Sequence, residues 1–305
     1  MNINQLITHL EQVILGKTQQ LQLIIATCLA GGHVLLEDYP GTGKTVLAKS
    51  LATSLDVPFS RIQFTPDMLP SELVGLNFFN PKTSEFTFKE GSLFASLVLA
   101  DEINRATPRT QAGLLESMEE GQITVDGLTH HLPKPYFVIA TQNPLETHGT
   151  FPLPEAQLDR FMTKLSLGYP STAESIQIAK EIERPTLQPI CNREQWLAWQ
   201  QAAEQVHIAD DVYAYLVALC EASRAHQDIA IGISTRGILA LARLVKAYAY
   251  VCEQSFVKPD TLQTLAPFVF AHRLVLKVGV NKSQHNLEQI VSEIIQSVPV
   301  PTEQF

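Results

Sequence analysis

Four cysteines in 305 residues, with no C-x-x-C pair among them, are too few and too scattered for a disulfide framework or a cysteine metal site. Cys28, Cys191, Cys220 and Cys252 lie far apart and three of them fall in apolar helical stretches, so they are expected to behave as small buried hydrophobes. Charge is scarce as well. Only 17% of residues are Asp, Glu, Lys or Arg, and 31 acids against 22 bases leave a formal net charge of −9. No block of Lys and Arg makes the basic stripe that a phosphate backbone requires, which argues against a nucleic-acid partner. No uninterrupted apolar run approaches the length of a bilayer span. The start, Met1-Asn2-Ile3-Asn4-Gln5, lacks the charged and apolar regions of a secretory signal, so a cytoplasmic protein is expected. What remains is a chain with 45% apolar residues, long enough for two domains with a core each.

Two motifs then point to one chemistry. The strand-length run His33-Val34-Leu35-Leu36 leads into Pro40-Gly41-Thr42-Gly43-Lys44-Thr45, and Val46-Leu47-Ala48-Lys49-Ser50-Leu51-Ala52 follows with helical spacing. A strand, a glycine loop and a helix N-terminus in that order aim backbone N–H groups and a favourable dipole at an anion. Pro40, Gly41, Thr42, Gly43, Lys44, Thr45 and Val46 are the expected ATP-binding segment. Lys44 would reach the β- and γ-phosphates and the Thr45 hydroxyl would ligate Mg²⁺. The second motif, Leu97-Val98-Leu99-Ala100-Asp101-Glu102, is a buried-strand run ending in two carboxylates. Asp101 would hold the magnesium through water, and Glu102 would polarise the attacking water. Together they specify hydrolysis of a nucleoside triphosphate. The strict phosphate-loop pattern wants Gly where Asp38 stands. At the loop's entrance a carboxylate caps a turn more readily than it blocks a nucleotide.

Short apolar strands at 33–37, 59–64, 96–100, 136–141 and 161–167 alternate with helices, the pattern of a parallel sheet covered on both faces. Helices are expected over 4–15 and 19–30, with Val13–Lys17 a candidate wall for the adenine. Two β-like insertions break the alternation. Residues 77–91 carry Phe78, Phe79, Phe86 and Phe88 around a turn at Asn80–Ser84, and 122–130 alternate around Asp126-Gly127, a strong hairpin signal. After Pro170-Ser171 the pattern is helical, with little strand signal: 171–182, 193–206, 210–226, 234–252, 259–274 and 283–298. Asp210 and Ser234 are suitable N-caps, and Trp196 and Trp199 read as core.

With these features in view the chain resembles the MoxR family of AAA+ ATPases over nearly its whole length. The segments that carry the resemblance are Glu37–Thr45, Ala100-Asp101-Glu102-Ile103-Asn104-Arg105-Ala106, Ala140-Thr141-Gln142-Asn143-Pro144, and the long run from Phe151 through Pro154-Glu155-Ala156-Gln157-Leu158-Asp159-Arg160 to Phe161. The resemblance implies an α/β P-loop core over 1–169 with helices on both faces and hairpin insertions at about 70–95 and 121–135, then an α-helical lid over 170–305. It implies that Asn143 is a sensor that positions water with Glu102, that Arg160 is a finger offered to a neighbour's nucleotide, and that Arg236 is a second sensor on the lid. Arg105 is a candidate for a subunit boundary. His148 receives no role. A ring, expected to be a hexamer, follows from the same likeness, with ATP and Mg²⁺ as ligands. Relatives act as chaperones on partner proteins, often ones with a von Willebrand factor A-like domain.

Two other functions compete. Related rings with the same hairpins move nucleic acid, but this chain is acidic, and Thr124–Pro133 carries His130 and His131 without an Arg, the nearest Lys being Lys134. A nucleotide-gated scaffold without turnover is the other. It has no need of Glu102, Asn143 and Arg160 together.

Overall fold

The first helix shows how the sequence builds its elements. Asn2 caps it by accepting from the Gln5 N–H at 3.1 Å while the Gln5 side chain takes the Asn2 N–H at 3.0 Å, and Ile3, Leu6, Ile7 and Leu10 are buried at helical spacing. The computed structural model describes residues 2–82, 84–144, 149–180, 185–278 and 284–301. In chain order these form α1 (Ile3–Glu11), α2 (Thr18–Leu29), β1 (Val34–Glu37), α3 (Lys44–Ser54), β2 (Phe59–Gln63), α4 (Pro70–Val74), β3 (Leu76–Asn80) and β4 (Glu85–Lys89). Next come β5 (Leu97–Asp101), a 3-10 turn (Ile103–Arg105), α5 (Pro108–Glu120), β6 (Gln122–Val125), β7 (Leu128–His131), β8 (Phe137–Gln142), α6 (Glu155–Leu158) and β9 (Thr163–Leu165). The remainder is α7 (Thr172–Lys180), α8 (Arg193–Glu204), α9 (Asp210–Ala225), β10 (Ile229–Ile231), α10 (Thr235–Val251), α11 (Pro259–Phe270), β11 (Val275–Leu276) and α12 (Gln284–Ser297).

Two compact units divide the chain. One comprises Met1–Leu21, His33–Leu153 and Leu165–Leu197, the other Gln22–Gly32, Pro154–Lys164 and Ala198–Phe305. The main sheet runs in the order β2-β5-β8-β1-β9, and the β2–β5, β5–β8 and β8–β1 pairs are parallel. Every residue of β5 is buried, as are the first five of β8 and the first three of β1. Strands covered on both faces read as continuous apolar runs, which is why they were legible. Because the strands are parallel, the carboxyl ends of β1, β2, β5 and β8 share one edge of the sheet, where ligands of open α/β sheets bind.

Both insertions are hairpins. Asp126 and Gly127 have φ of 51° and 80°, the left-handed pair that a tight two-residue turn demands between β6 and β7. The hairpins touch each other. Asn77 Nδ2 donates to Asp126 Oδ2 at 2.8 Å, and Phe88 stacks on His130 with centroids 3.7 Å apart. Phe79 and Phe86 remain exposed as an edge-on pair.

In the second unit α9, α10, α11 and α12 pack on one another. Ser234 caps α10 by accepting from the Gly237 N–H at 3.1 Å. Two expectations need correction. Ala209, not Asp210, occupies the N-cap of α9, so Asp210 sits in the first helical turn, where its charge complements the dipole instead. The second unit also holds an antiparallel pair, β10 with β11, whose three and two residues are too short to leave a period-two signal. Trp196 and Trp199 are buried, and Trp196 lies against Phe137. Cys28, Cys191 and Cys220 are buried free thiols and Cys252 is half-buried, with burial raising the pKa of each.

Candidate functional site

The glycine loop joins β1 to α3 through two left-handed residues, Gly41 at φ 81° and Gly43 at φ 89°. A Cβ on either would meet no atom within 4 Å. Backbone conformation, not crowding, therefore demands glycine there, and the space in front of the loop stays open. Gly43 is the N-cap of α3, so Lys44, Thr45 and Val46 form its first turn, where free N–H groups favour an anion. Lys44 Nζ donates to the Asp38 carbonyl at 3.0 Å and to the Tyr39 carbonyl at 3.4 Å, and the Thr42 hydroxyl donates to Tyr39 O at 3.2 Å. The ammonium is thus held against its own loop.

Asp38 caps a turn, though not the one it enters. Its carboxylate accepts from the Ser166 hydroxyl at 2.7 Å and from the N–H groups of Leu167 and Gly168 at 2.6 and 3.1 Å. It is buried. Tyr39 beside it stacks on Tyr169 with rings 8° from parallel.

At the end of β5 the two carboxylates are held by different neighbours. Asp101 Oδ1 accepts from the Thr141 hydroxyl at 2.7 Å, and the Thr141 hydroxyl oxygen in turn accepts from the Glu102 N–H at 2.9 Å. Asp101 Oδ2 accepts from Arg61 Nη2 at 2.8 Å. Glu102 Oε2 takes Gln63 Nε2 at 2.7 Å and Arg105 Nη1 at 3.1 Å, and Arg61 Nη2 also reaches Gln63 Oε1 at 3.2 Å. Glu102 itself is left-handed, φ 58° and ψ 49°, a conformation that costs a non-glycine residue roughly 1 kcal/mol or more and that recurs at functional sites. The bend leads directly into the 3-10 turn. Gln111 fastens that turn from below, its Nε2 lying 3.1 Å from the carbonyls of Ile103 and Ala106 and 2.9 Å from that of Phe151.

Asn143 follows β8 directly and is buried. The loop, Asp101, Glu102 and Asn143 all belong to the first unit, and Arg160 and Arg236 to the second. There the Asp159 carboxylate gathers the neighbourhood of both arginines. Arg273 Nε donates to it at 2.6 Å, the Ser234 hydroxyl at 3.0 Å, and Arg236 Nη1 stands 3.9 Å away. Arg273 also donates to the carbonyls of Asp159, Phe161, Met162 and Val269. His272 beside it is buried, and desolvation holds its pKa well below the ordinary imidazole value. His148 lies outside the described residues.

The sequence reading missed Arg61, Gln63, Thr141, Asp159 and Arg273. A signal existed for the first two: Arg61 and Gln63 alternate on one strand, and Gln63 pairs in register with Asp101. Arg273, distant in sequence from Asp159, left none.

Among the described residues no cluster of three or more His, Cys, Asp or Glu could cage a metal. One buried carboxylate and one hydroxyl suit magnesium, which keeps waters and shares phosphate oxygens, better than a metal that needs a full protein cage. The residues present fit Mg²⁺ brought with a nucleotide.

Comparisons with known proteins bear on the fold and the family. The model of the ATPase family associated with various cellular activities (AAA) matches residues 33–163, and that of the AAA lid domain matches 221–294. The protein YeaC of Bacillus subtilis (strain 168) is 44% identical over 99% of this chain and 95% of its own. Chaperone MoxR1 of Mycobacterium tuberculosis is 33% identical over 98% of this chain and 82% of its own. A crystal structure of a candidate ATPase from Cytophaga hutchinsonii superposes with a TM-score of 0.88 at 32% identity, covering 98% and 95% of the two chains.

Proposed function

The chain belongs to the MoxR family of AAA+ ATPases, and on that premise we propose that it couples magnesium-dependent ATP hydrolysis to the remodelling of partner proteins as a ring. The observation that carries the reading is the Asp101–Glu102 pair at the end of β5, on the sheet edge shared with the glycine loop of β1. Lys44 and the first turn of α3 hold the β- and γ-phosphates. Thr45, with Asp101 acting through water, holds Mg²⁺, which neutralises phosphate charge. Glu102 orients the attacking water and accepts its proton. Asn143 positions the same water and reads the γ-phosphate. Arg160 offsets transition-state charge at a neighbour's site, and Arg236 ties the lid to the bound phosphate.

In functional terms 1–169 binds nucleotide and 170–305 is the lid. The assembly is a hexamer in the cytoplasm, and the client is a protein, with a von Willebrand factor A-like domain the leading candidate. The chaperone name of the Mycobacterium tuberculosis relative supports a protein client. The acidic composition weighs against a nucleic-acid motor.

Subunit mixing tests the shared site. Arg160→Ala and Lys44→Ala subunits should each be inactive alone. Mixed rings contain interfaces that join an intact loop to an intact finger, so activity should partly return. A finger contributes on the order of 10³-fold or more, which places even a few repaired interfaces above background. Subunit exchange is verified by transfer of a labelled subunit; no rescue after proven exchange refutes action in trans.

A further inference from the structure

We propose that Arg61 is the resident counter-ion of Asp101, a cation that yields its place when Mg²⁺ enters with the nucleotide. The inference rests on the reading of Asp101 as the magnesium partner. Four charges meet at the end of β5. Asp101 and Glu102 supply two negatives, and Arg61 and Arg105 supply two positives through contacts of 2.8 and 3.1 Å. The formal charges of these four groups cancel. A divalent cation added alone would leave an excess of positive charge, whereas one that arrives with a triphosphate brings its own negative charge.

The environment of Arg61 suits a counter-ion that can yield. Its side chain is 48% exposed while that of Asp101 is 12% exposed. An ion pair with one solvated partner contributes little to stability, so the contact is not explained by holding the fold together. A long arginine on the surface of β2 can release its partner at low cost, because water takes up the guanidinium as it leaves. Asp101 cannot move in the same way. Its other oxygen is fastened to Thr141, which is fully buried and also holds the Glu102 N–H. The carboxylate stays in place and only its cation can exchange. The contact from Arg61 to Gln63 Oε1 extends the same guanidinium's influence towards Glu102, whose Oε2 takes Gln63 Nε2.

The test measures binding of a fluorescent ATP analogue as MgCl₂ is titrated, without reliance on turnover. In Arg61→Gln the Mg²⁺ concentration that gives half the metal-dependent signal should fall on the order of three- to tenfold, since a nearby positive charge has been removed from a partly screened carboxylate. Arg61→Lys should stay within about twofold of the parent, because it keeps the charge. Affinity for the analogue in excess EDTA should be unchanged in Arg61→Gln. Asp101→Asn should raise the Mg²⁺ requirement, and adding Arg61→Gln to it should then change nothing. An Arg61→Gln protein with the parent's Mg²⁺ requirement overturns the proposal, as does a loss of metal-free affinity, which would assign Arg61 to the phosphates. If Asp101→Asn leaves the Mg²⁺ requirement untouched, it is the metal role of Asp101 that fails.

Discussion

Two arginine–aspartate pairs, alike in distance, do opposite jobs in the two units. Arg61 meets Asp101 at 2.8 Å in the first and Arg273 meets Asp159 at 2.6 Å in the second. The difference is solvent. The Arg61 side chain is half in water and Asp101 keeps the Thr141 hydroxyl as a second donor, so that pair is a replaceable contact at a ligand edge. The Arg273 side chain is 2% exposed and spends its other donors on four backbone carbonyls. A buried guanidinium that satisfied has no state to exchange into, because losing any partner would strand a charge. Geometry of the pair says little about its role; burial of the cation decides it.

The sharpest way to break this comparison is Arg273→Ala. Removing a buried cation leaves the Asp159 carboxylate without its counter-ion and the carbonyls of Asp159, Phe161, Met162 and Val269 without this donor, and the expected loss is about 3–5 kcal/mol of stability. Urea unfolding followed at the second unit, through a probe on α10 or α11, should show the transition moving to lower denaturant. A midpoint within error of the parent's would mean that the segment bearing Arg160 does not depend on Arg273.

Acid should sharpen it next. Burial pushes the His33 imidazole down to about 4, while Nε2 lies 3.0 Å from the Met118 carbonyl and Nδ1 accepts from the Val138 N–H at 3.0 Å. The unfolded chain takes up that proton near pH 6.5 and the fold only near 4, so the stabilisation is complete above 6.5 and is lost as pH falls towards 4. Its size is on the order of 3 kcal/mol. His272 in the second unit is shifted in the same direction, which extends the acid sensitivity to both units. Unfolding measured at pH 7 and pH 5 should show the loss, and His33→Gln should show a smaller pH difference than the parent, although it is less stable at pH 7. An unchanged pH difference would mean that His33 is not buried neutral.

The smallest effect belongs to Arg61. Arg61→Gln should change stability by no more than about 1 kcal/mol, as expected for a half-exposed pair. A loss as large as that of Arg273→Ala would erase the contrast between the two pairs and make Arg61 a structural residue.

The α/β sheet and the phosphate loop were legible because local pattern determines them. Buried parallel strands are apolar throughout, glycines 41 and 43 mark left-handed backbone, and Asp126-Gly127 marks its hairpin. The acidic pair was legible because it ends such a strand. The arginines were not. Arg61 and Arg273 lie 40 and 114 residues from their carboxylates, and nothing in a neighbouring residue records a partner that distant. Asp38 was half legible: its capping role could be expected from its chemistry, but its partners at 166–168 come from elsewhere in the first unit.

Period and turn chemistry, both properties of residues close in the chain, therefore determined the parallel sheet, the glycine loop and the two hairpins, and the motif segments carried the likeness to the family. Tertiary structure alone decided which charges meet. It made Arg61 the cation of Asp101, gave Glu102 to Gln63 and Arg105, and fastened Asp159 with Arg273, because a side chain's electrostatic partners are chosen by the packing of strands and helices that the sequence brings together from far apart.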